Sequence, residues 1–313
     1  MHWPQIFSVL IPFHNSHETV QETISSIVIQ NVGNIEIIIA DDHSTEESRA
    51  ILDEIVSKKN NIKVIDVEGR GPSAARNAAA KSAMGHIYCF LDADDCLKPG
   101  ALKAFETFLR ASPRVAVTFG RVRITDDPST PGGITTPLCE FPSLAQIIGE
   151  NRICTASNIV VRARAFKEIG GFDETLFHAE DQEWLSRAYL NKNWSLVGVD
   201  RVTLDYRTSK AGLSSDLRKM ESGWCGMIGA IKRYSNAVSQ QQISEATGLF
   251  YRYLARRALR LGKSRTDGFV FMIQSLGANP LLLSREMNRT WPTLLGSIAV
   301  LLFGAAPFQK TFR

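Results

Sequence analysis

Four short apolar runs, rich in β-branched residues, punctuate the first 91 residues: Phe7–Ile11, Glu36–Ala40, Ile62–Asp66 and His86–Leu91. The segments between them, Glu18–Ile29, Glu46–Ser57 and Ser73–Ala83, carry helical periodicity instead. A strand buried on both faces reads as a continuous apolar run, and strands alternating with helices build βαβ units around a parallel sheet. Such sheets bind ligands outside the carboxyl ends of their strands. Ser44 or Thr45 can cap the second helix.

Downstream the punctuation changes. Asp126–Pro142 holds four prolines and the Gly132-Gly133 pair and reads as a loop. Ser157–Val161 is strand-like, Ala163–Ile169 helical, Gly170-Gly171 a turn, Glu183–Leu190 helical and Trp194–Val199 a strand. From about residue 214 the pattern is helical only, so an α/β domain over 1–213 and a helical C-terminal region over 214–313 are expected. The 313 residues are 44% hydrophobic and 22% charged, which excludes extended disorder and collagen-like designs. The five cysteines (Cys89, Cys96, Cys139, Cys154, Cys225) include no CxxC pair, so a reducing cytosol is expected rather than a disulfide framework or zinc knuckle. No basic stretch precedes the short apolar run Ile6–Phe13, so export is not expected.

The net charge of +4 conceals a split. Residues 251–313 hold ten Lys/Arg against two Asp/Glu, leaving 26 against 30 in the first 250. Within Leu249–Leu261, Arg252, Arg256 and Arg260 recur at every fourth position, with Arg257 beside them. That spacing predicts a basic amphipathic helix suited to an anionic membrane surface. Thr290–Gln309 carries no charge, but Pro292 and Pro307 interrupt it and leave a helical core over Thr293–Ala306. This is shorter than the roughly 20 residues a spanning helix needs, so an interfacial, re-entrant or buried helix is expected ahead of a transmembrane span. No stacking aromatics accompany the basic tail, and nucleic acid is not an expected partner.

The strongest chemical signal is Leu91-Asp92-Ala93-Asp94-Asp95, directly after the fourth strand. Crowded carboxylates raise one another's pKa values unless a cation neutralises them. Asp92 and Asp94, two apart, point the same way in extended geometry, and such oxygen ligands suit a hard divalent cation completed by substrate phosphates. An acidic turn capping a helix near Pro99 is the bland alternative. Asp41-Asp42 ends the second strand and can accept hydrogen bonds from a base N–H and a ribose hydroxyl, or simply cap the next helix. Pro12-Phe13-His14-Asn15 ends the first strand as a base-stacking platform or a turn. In a parallel sheet these three ends lie side by side.

Taken in order, Ile11–Asn15, Asp41–Thr45, Gly71–Asn77, Leu91–Asp95 and His178-Ala179-Glu180-Asp181 resemble the motifs of family 2 glycosyltransferases with the GT-A fold, over about residues 6–206. The resemblance implies an α/β, GT-A-like, mostly parallel sheet flanked by helices, with a helical C-terminal extension. It implies an inverting, metal-dependent enzyme of polysaccharide biosynthesis. Such an enzyme moves a sugar from a nucleotide-diphospho-sugar, a UDP-sugar at the family level, to a saccharide or lipid-linked acceptor. Asp41, Asp42, Pro12, Phe13 and Asn15 would then hold base and ribose, with Gly71 and Arg76 supporting the nucleotide. Asp92 and Ala93 would contact ribose or metal, and Asp94, with Asp92 beside it, would bind Mg²⁺ or Mn²⁺ bridging the diphosphate. Asp181 would be the general base that activates the acceptor hydroxyl, with Glu180 and Trp184 near acceptor or sugar. The bland readings are an acidic pair at a helix start for Glu180-Asp181, and core packing for Trp184. A peripheral place at the inner face of the cytoplasmic membrane follows from the C-terminal features.

Two departures stand out. The family's Asn-x-Gly is Gly69-Arg70-Gly71, and Tyr206–Ser214 lacks the family's additional histidine ligand. Arg207 and Lys210 in that stretch are either phosphate neutralisers or solvated loop charges. His14, His43 and His178 lack the spacing of a metal triad, and His178 is expected at the surface ahead of a contact with sugar or phosphate. Competing readings are an aspartate-dependent phosphotransferase, which lacks a hydroxyl residue after Asp95, and a catalytically inactive nucleotide-sugar or glycan-binding relative.

Overall fold

A computed structural model describes residues 7–57, 59–208, 216–235, 237–262 and 264–304. The chain divides into two compact units: Met1–Pro142 with Ile153–Ser209, and Ser143–Arg152 with Lys210–Arg313.

The first unit opens as β1 (Phe7–Phe13), α1 (His17–Val28), β2 (Ile35–Asp41), α2 (Glu46–Val56), β3 (Ile62–Asp66), α3 (Pro72–Ser82) and β4 (Ile87–Phe90). It continues through β5 (Cys96–Leu97), α4 (Ala101–Ala111), β6 (Val115–Thr125) and β7 (Ile134–Thr135). After α5 (Leu144–Glu150), which belongs to the second unit, come a 3₁₀ turn at Ala156–Asn158, β8 (Val160–Arg162), α6 (Ala163–Ile169), α7 (Glu180–Leu190) and β9 (Ser195–Arg207).

The strands form one sheet in the order β3-β2-β1-β4-β8-β6-β9-β5, with β7 paired to β6. The part built from the four N-terminal runs is parallel, and the sheet turns mixed from β8 onward. In β1 the alternate residues Phe7, Val9, Ile11 and Phe13 belong to one buried cluster with Ile37 and Ile39 of β2. On α4, Leu102, Phe105 and Leu109 recur at helical spacing and join the same cluster. Parallel pairing of β1 with β2 sets Phe13 beside Asp41, and β2 with β3 sets Asp41 beside Asp66. The polar clusters therefore share one edge, as the alternation of the sequence requires.

The second unit adds α8 (Leu217–Tyr234), α9 (Gln240–Leu261), α10 (Asp267–Ala278), α11 (Leu282–Arg285) and α12 (Met287–Phe303) to α5. Capping boxes start α5 at Ser143/Gln146 and α9 at Ser239/Gln242. Trp224 stacks on Phe250 at 4.4 Å and donates its indole N–H to the Ile148 carbonyl.

Two expectations for this unit change. Pro292 does not interrupt the last helix, which runs from Met287 through it to Phe303. The carbonyl it leaves unpaired, four residues back at Asn288, sits on an exposed residue that water can serve. The arginine row of α9 is not solvated throughout: Arg252 is 0% exposed and Arg256 is half-buried, while Arg260 is exposed. The acidic partners of Arg252, Glu150 and Glu286, lie far away in sequence, which hides them from a local pattern. No helix among the described residues is long and apolar enough to cross a membrane. The stretches 209–215, including Lys210, and 305–313, including Pro307, lie outside the described residues.

Candidate active site

The edge of the sheet is tied together by backbone geometry. Asn15 (φ 49°) and His43 (φ 55°) take left-handed conformations at the turns after β1 and β2. The Asn15 N–H donates to Ser44 Oγ at 3.0 Å, and its side-chain oxygen accepts from Thr45 N–H at 2.9 Å. Thr45 caps α2, accepting from the Ser48 N–H. Asn15 therefore acts first as a staple between two strand ends.

Asp41, nearly buried, accepts from Ser44 N–H at 3.2 Å and from Arg49 Nη1 at 3.0 Å. The same Arg49 nitrogen lies 2.5 Å from Asp66 Oδ1, and its Nε 3.0 Å from Asp53. Hydrogen bonding to Asp66 above all, then to Asp41 and Asp53, raises the Arg49 pKa against the opposing effect of burial. These side chains line an open cleft of about 490 Å³ that also takes in His43, Ser44, Glu46 and Val67. Asp42 accepts from the Gly71 N–H at 2.8 Å and fixes the start of α3. Gly71 has φ +88°, where a side chain would be strained, and the ring of Phe177 lies beside the place its Cβ would take. Phe177 itself is 63% exposed.

Arg76 projects from α3 and is almost wholly buried. It donates to Asp92 Oδ1 at 2.7 Å and to Glu180 Oε1 at 2.9 Å, and its guanidinium lies 5.7 Å from the Phe172 ring centre. Burial opposes its charge, but Asp92 and Glu180 outweigh that and raise its pKa. Arg76 thus joins the end of β4 to the first turn of α7. Ala179 (φ 61°) starts that turn, and Asp181 lies within it, accepting from Gln182 N–H at 2.8 Å.

The acidic turn is strapped from behind. Arg207 donates its backbone N–H to Asp95 Oδ1 and its Nε to the Asp94 carbonyl, each at 3.0 Å, and pairs with Glu22. Its role is therefore to hold the turn, which neither reading of a loop arginine anticipated. Burial first, then the charge of Asp92, pushes Asp94 up to about 6, with Arg207 opposing. Burial, then Asp94 and Asp92, raises the fully buried Asp95 well above the usual carboxylate range, and its Oδ2 has no partner.

This donor set fits a divalent cation held with substrate phosphates. Asp92 is already paired with Arg76, whereas among the described residues no ion pair engages the Asp94 side chain. Among the described residues no three His, Cys, Asp or Glu side chains converge into a complete protein cage. A hard cation that completes its shell with phosphate oxygens does not need one.

Four expected contacts are corrected. Phe13 is 0% exposed and packs in the core, so it cannot stack on a base; only Pro12 of that pair reaches the surface. Trp184 is 0% exposed, packs against Phe166 and Phe172, and donates its indole N–H to the Gly170 carbonyl, so it cannot meet an acceptor sugar. The Ala93 methyl lies in the core and its carbonyl accepts from Thr19 and Thr23. Glu180 is engaged by Arg76 rather than free for an acceptor. Arg49 and Phe177 were not singled out by the sequence. Arg49 reads locally as one of many helix-surface charges, and Phe177 lies in a stretch without periodicity.

The comparisons with known proteins agree with this architecture. The chain is 26% identical over 226 residues to the UDP-Glc:α-D-GlcNAc-diphosphoundecaprenol β-1,3-glucosyltransferase WfgD of Escherichia coli, covering 70% of this chain and 84% of that one. It spans about a quarter to a third of the length of the first curated relatives it matches. The structure of S. aureus TarS 1–349 in complex with UDP-GlcNAc superposes with a TM-score of 0.56 at 22% identity, covering 95% of this chain and 82% of that one. The mannosyltransferase PcManGT of Pyrobaculum calidifontis, in complex with GDP-Man and Mn²⁺, gives a TM-score of 0.56 at 15% identity over 97% and 88% of the two chains. These two likenesses establish the GT-A fold. The sequence profile of glycosyl transferase family 2 matches residues 8–170, just over half of the chain, and the chain belongs to that family.

Proposed function

We propose that the chain is an inverting, metal-dependent glycosyltransferase that moves a sugar from a UDP-sugar to a lipid-linked or phosphate-bearing glycan at a membrane face. The observation that carries this is the Asp92–Arg76–Glu180 bridge, which couples the acidic turn of β4 to the helix start bearing Asp181. Family membership, and a relative whose name records a UDP-Glc donor and a diphosphoundecaprenol acceptor, support it.

The cleft around Asp41 suits uracil. A carboxylate can accept the imide N–H while an adjacent guanidinium donates to a flanking carbonyl, and Asp41 with Arg49 presents that order of groups. Cytosine would set an acceptor nitrogen against the carboxylate. Asp42, held by Gly71, lies next along the chain for the ribose. Asp94, with Asp92 beside it, would hold Mg²⁺ or Mn²⁺, which supplies positive charge for the departing diphosphate. Arg76 holds Asp92 and Glu180 in place. Asp181 takes the proton of the acceptor hydroxyl, which is a poor nucleophile until a carboxylate accepts it. Phe177 offers an exposed ring to a sugar or base face.

Membrane placement has its own support. On α12, Met287, Trp291, Leu295 and Leu302 form a stripe of large exposed apolar side chains, continued by Phe303. Such a stripe suits an interface, not a span.

The test is transfer of labelled sugar from UDP-glucose or UDP-N-acetylglucosamine, with Mn²⁺, onto a GlcNAc-diphospholipid. Product formation that chelation abolishes supports the proposal. Failure to bind UDP, GDP or any UDP-sugar in a thermal-shift panel would sink it.

A further inference from the structure

The second unit holds more positive than negative charge inside it. Glu150 of α5 accepts from Arg252 at 2.9 Å and Arg289 at 2.8 Å, and lies 3.2 Å from Arg152. Glu286 pairs with Arg252 at 2.9 Å and with Arg152 at 3.2 Å. Arg252 is 0% exposed and also donates to Thr290 at 3.0 Å. Two carboxylates thus serve three arginines, and a fourth, Arg256, follows Arg252 by one turn of α9.

Arg256 is half-buried and has no hydrogen-bond or ion-pair partner among the described residues. Burial first, then the charge of Arg260, pulls its pKa down to about 10, with Arg289 and Arg252 adding to the repulsion; Glu150, already shared, opposes. The buried Nε atoms of Arg152 and Arg252 also lack partners. A partly desolvated guanidinium surrounded by like charges is unfavourable unless an anion completes the set. Four arginines against two glutamates leave an excess of two positive charges, the charge of a phosphate dianion.

We infer that Arg256, with Arg289 and Arg152, forms an anion site in the helical unit that takes a phosphate group, supplied by a phosphate-bearing glycan or by a lipid headgroup. Planar guanidinium forks match phosphate oxygens, which makes arginine the suitable donor. Calling the phosphate part of an acceptor rests on the transferase reading. The site itself does not, and its test needs no turnover.

The test uses the full chain. Wild type and Arg256→Gln are melted in chloride and in inorganic phosphate at matched ionic strength. Both are also sedimented with phosphatidylglycerol vesicles and with phosphatidylcholine vesicles. The variant should melt higher than wild type in chloride, because an unanswered cation has been removed; an arginine with a purely structural ion pair would give the opposite sign. Phosphate should raise the wild-type melting temperature, and the variant's apparent affinity for phosphate should fall about tenfold, the loss of one charge-assisted contact. A phosphate shift without vesicle binding assigns the anion to a soluble carrier. Pelleting with phosphatidylglycerol alone, lost in the variant, assigns it to a headgroup. If neither phosphate nor vesicle binding depends on Arg256, the site does not exist, whatever the outcome of a transfer assay.

Discussion

Arg76 Nη2 lies 2.7 Å from Asp92 Oδ1, with the arginine side chain 4% exposed and the aspartate 26% exposed. The same guanidinium reaches Glu180, so one buried cation from the third motif holds carboxylates of the fourth and the fifth. Arg76→Met leaves both anions without their counter-charge. It should cost about 3 kcal/mol in urea unfolding, at the lower end of what breaking a buried pair costs. Arg76→Lys should recover part of this, since one ammonium cannot fork to both acids. A loss below about 1 kcal/mol in Arg76→Met, the range of exposed pairs, would remove the bridge as the organising contact.

Asp181→Asn keeps the side chain's size and its acceptance from Gln182 but cannot take a proton. Turnover should fall by roughly 10²–10⁴ while UDP binding is retained. Full activity in this variant, read by UDP release, would assign the base elsewhere.

Asp94 gives a pH dependence with a definite sign. Its folded-state pKa is raised from 3.8 to about 6, so the folded form holds the proton more tightly than the unfolded chain. Its stabilising contribution is complete below the unfolded value and is lost as the pH rises through about 6. Metal-free protein should therefore melt lower at pH 7.5 than Asp94→Asn does. Mn²⁺ with UDP should raise the wild type alone. Equal melting of the two proteins at pH 7.5 without metal would contradict this.

Glu150 has the opposite sign. Burial works against its charge, but Arg252, Arg152 and Arg289 outweigh it and hold its pKa below the usual carboxylate value. Its contribution is present above the unfolded value of 4.5 and is lost as the pH falls through the folded one. Glu150→Gln should destabilise the helical unit by about 3 kcal/mol near neutrality and flatten the acid limb of its melting profile. An unchanged acid limb would show that the arginines do not depend on this carboxylate.

Arg49→Met tests how the base is read. UDP affinity should fall about tenfold, the worth of one charge-assisted hydrogen bond, while CDP affinity stays as it was. A parallel loss for both nucleotides would reduce Arg49 to a general support of the cleft.

Much of this architecture was legible in local patterns. The four parallel strands announce themselves as β-branched runs, and their polar ends were bound to meet once the sheet was parallel. Even Phe13 was readable: Phe7, Val9, Ile11 and Phe13 share one face of a strand, so the last had to point inward with the others. The strand β6 was not recognised. Gly120 interrupts it, and Arg121 and Arg123 look like loop charges until Asp200 and Asp205 answer them from far along the chain. Arg252 misled for the same reason, since Glu150 lies 102 residues away in sequence. Local periodicity sees charge but not distant counter-charge, and both errors fall where long-range ion pairs decide what is buried.

Asn15, His43 and Ala179 all hold left-handed backbone without being glycine, and each stands at a turn within one of the five motifs. Conformations of this kind cost of order 1 kcal/mol apiece. Selection for heat tolerance would accordingly be drawn first to Ala179, where glycine relaxes the chain at the loss of one methyl group, rather than to Asn15 and His43, whose side chains bond neighbouring backbone. The hardened descendants would trade turnover for endurance.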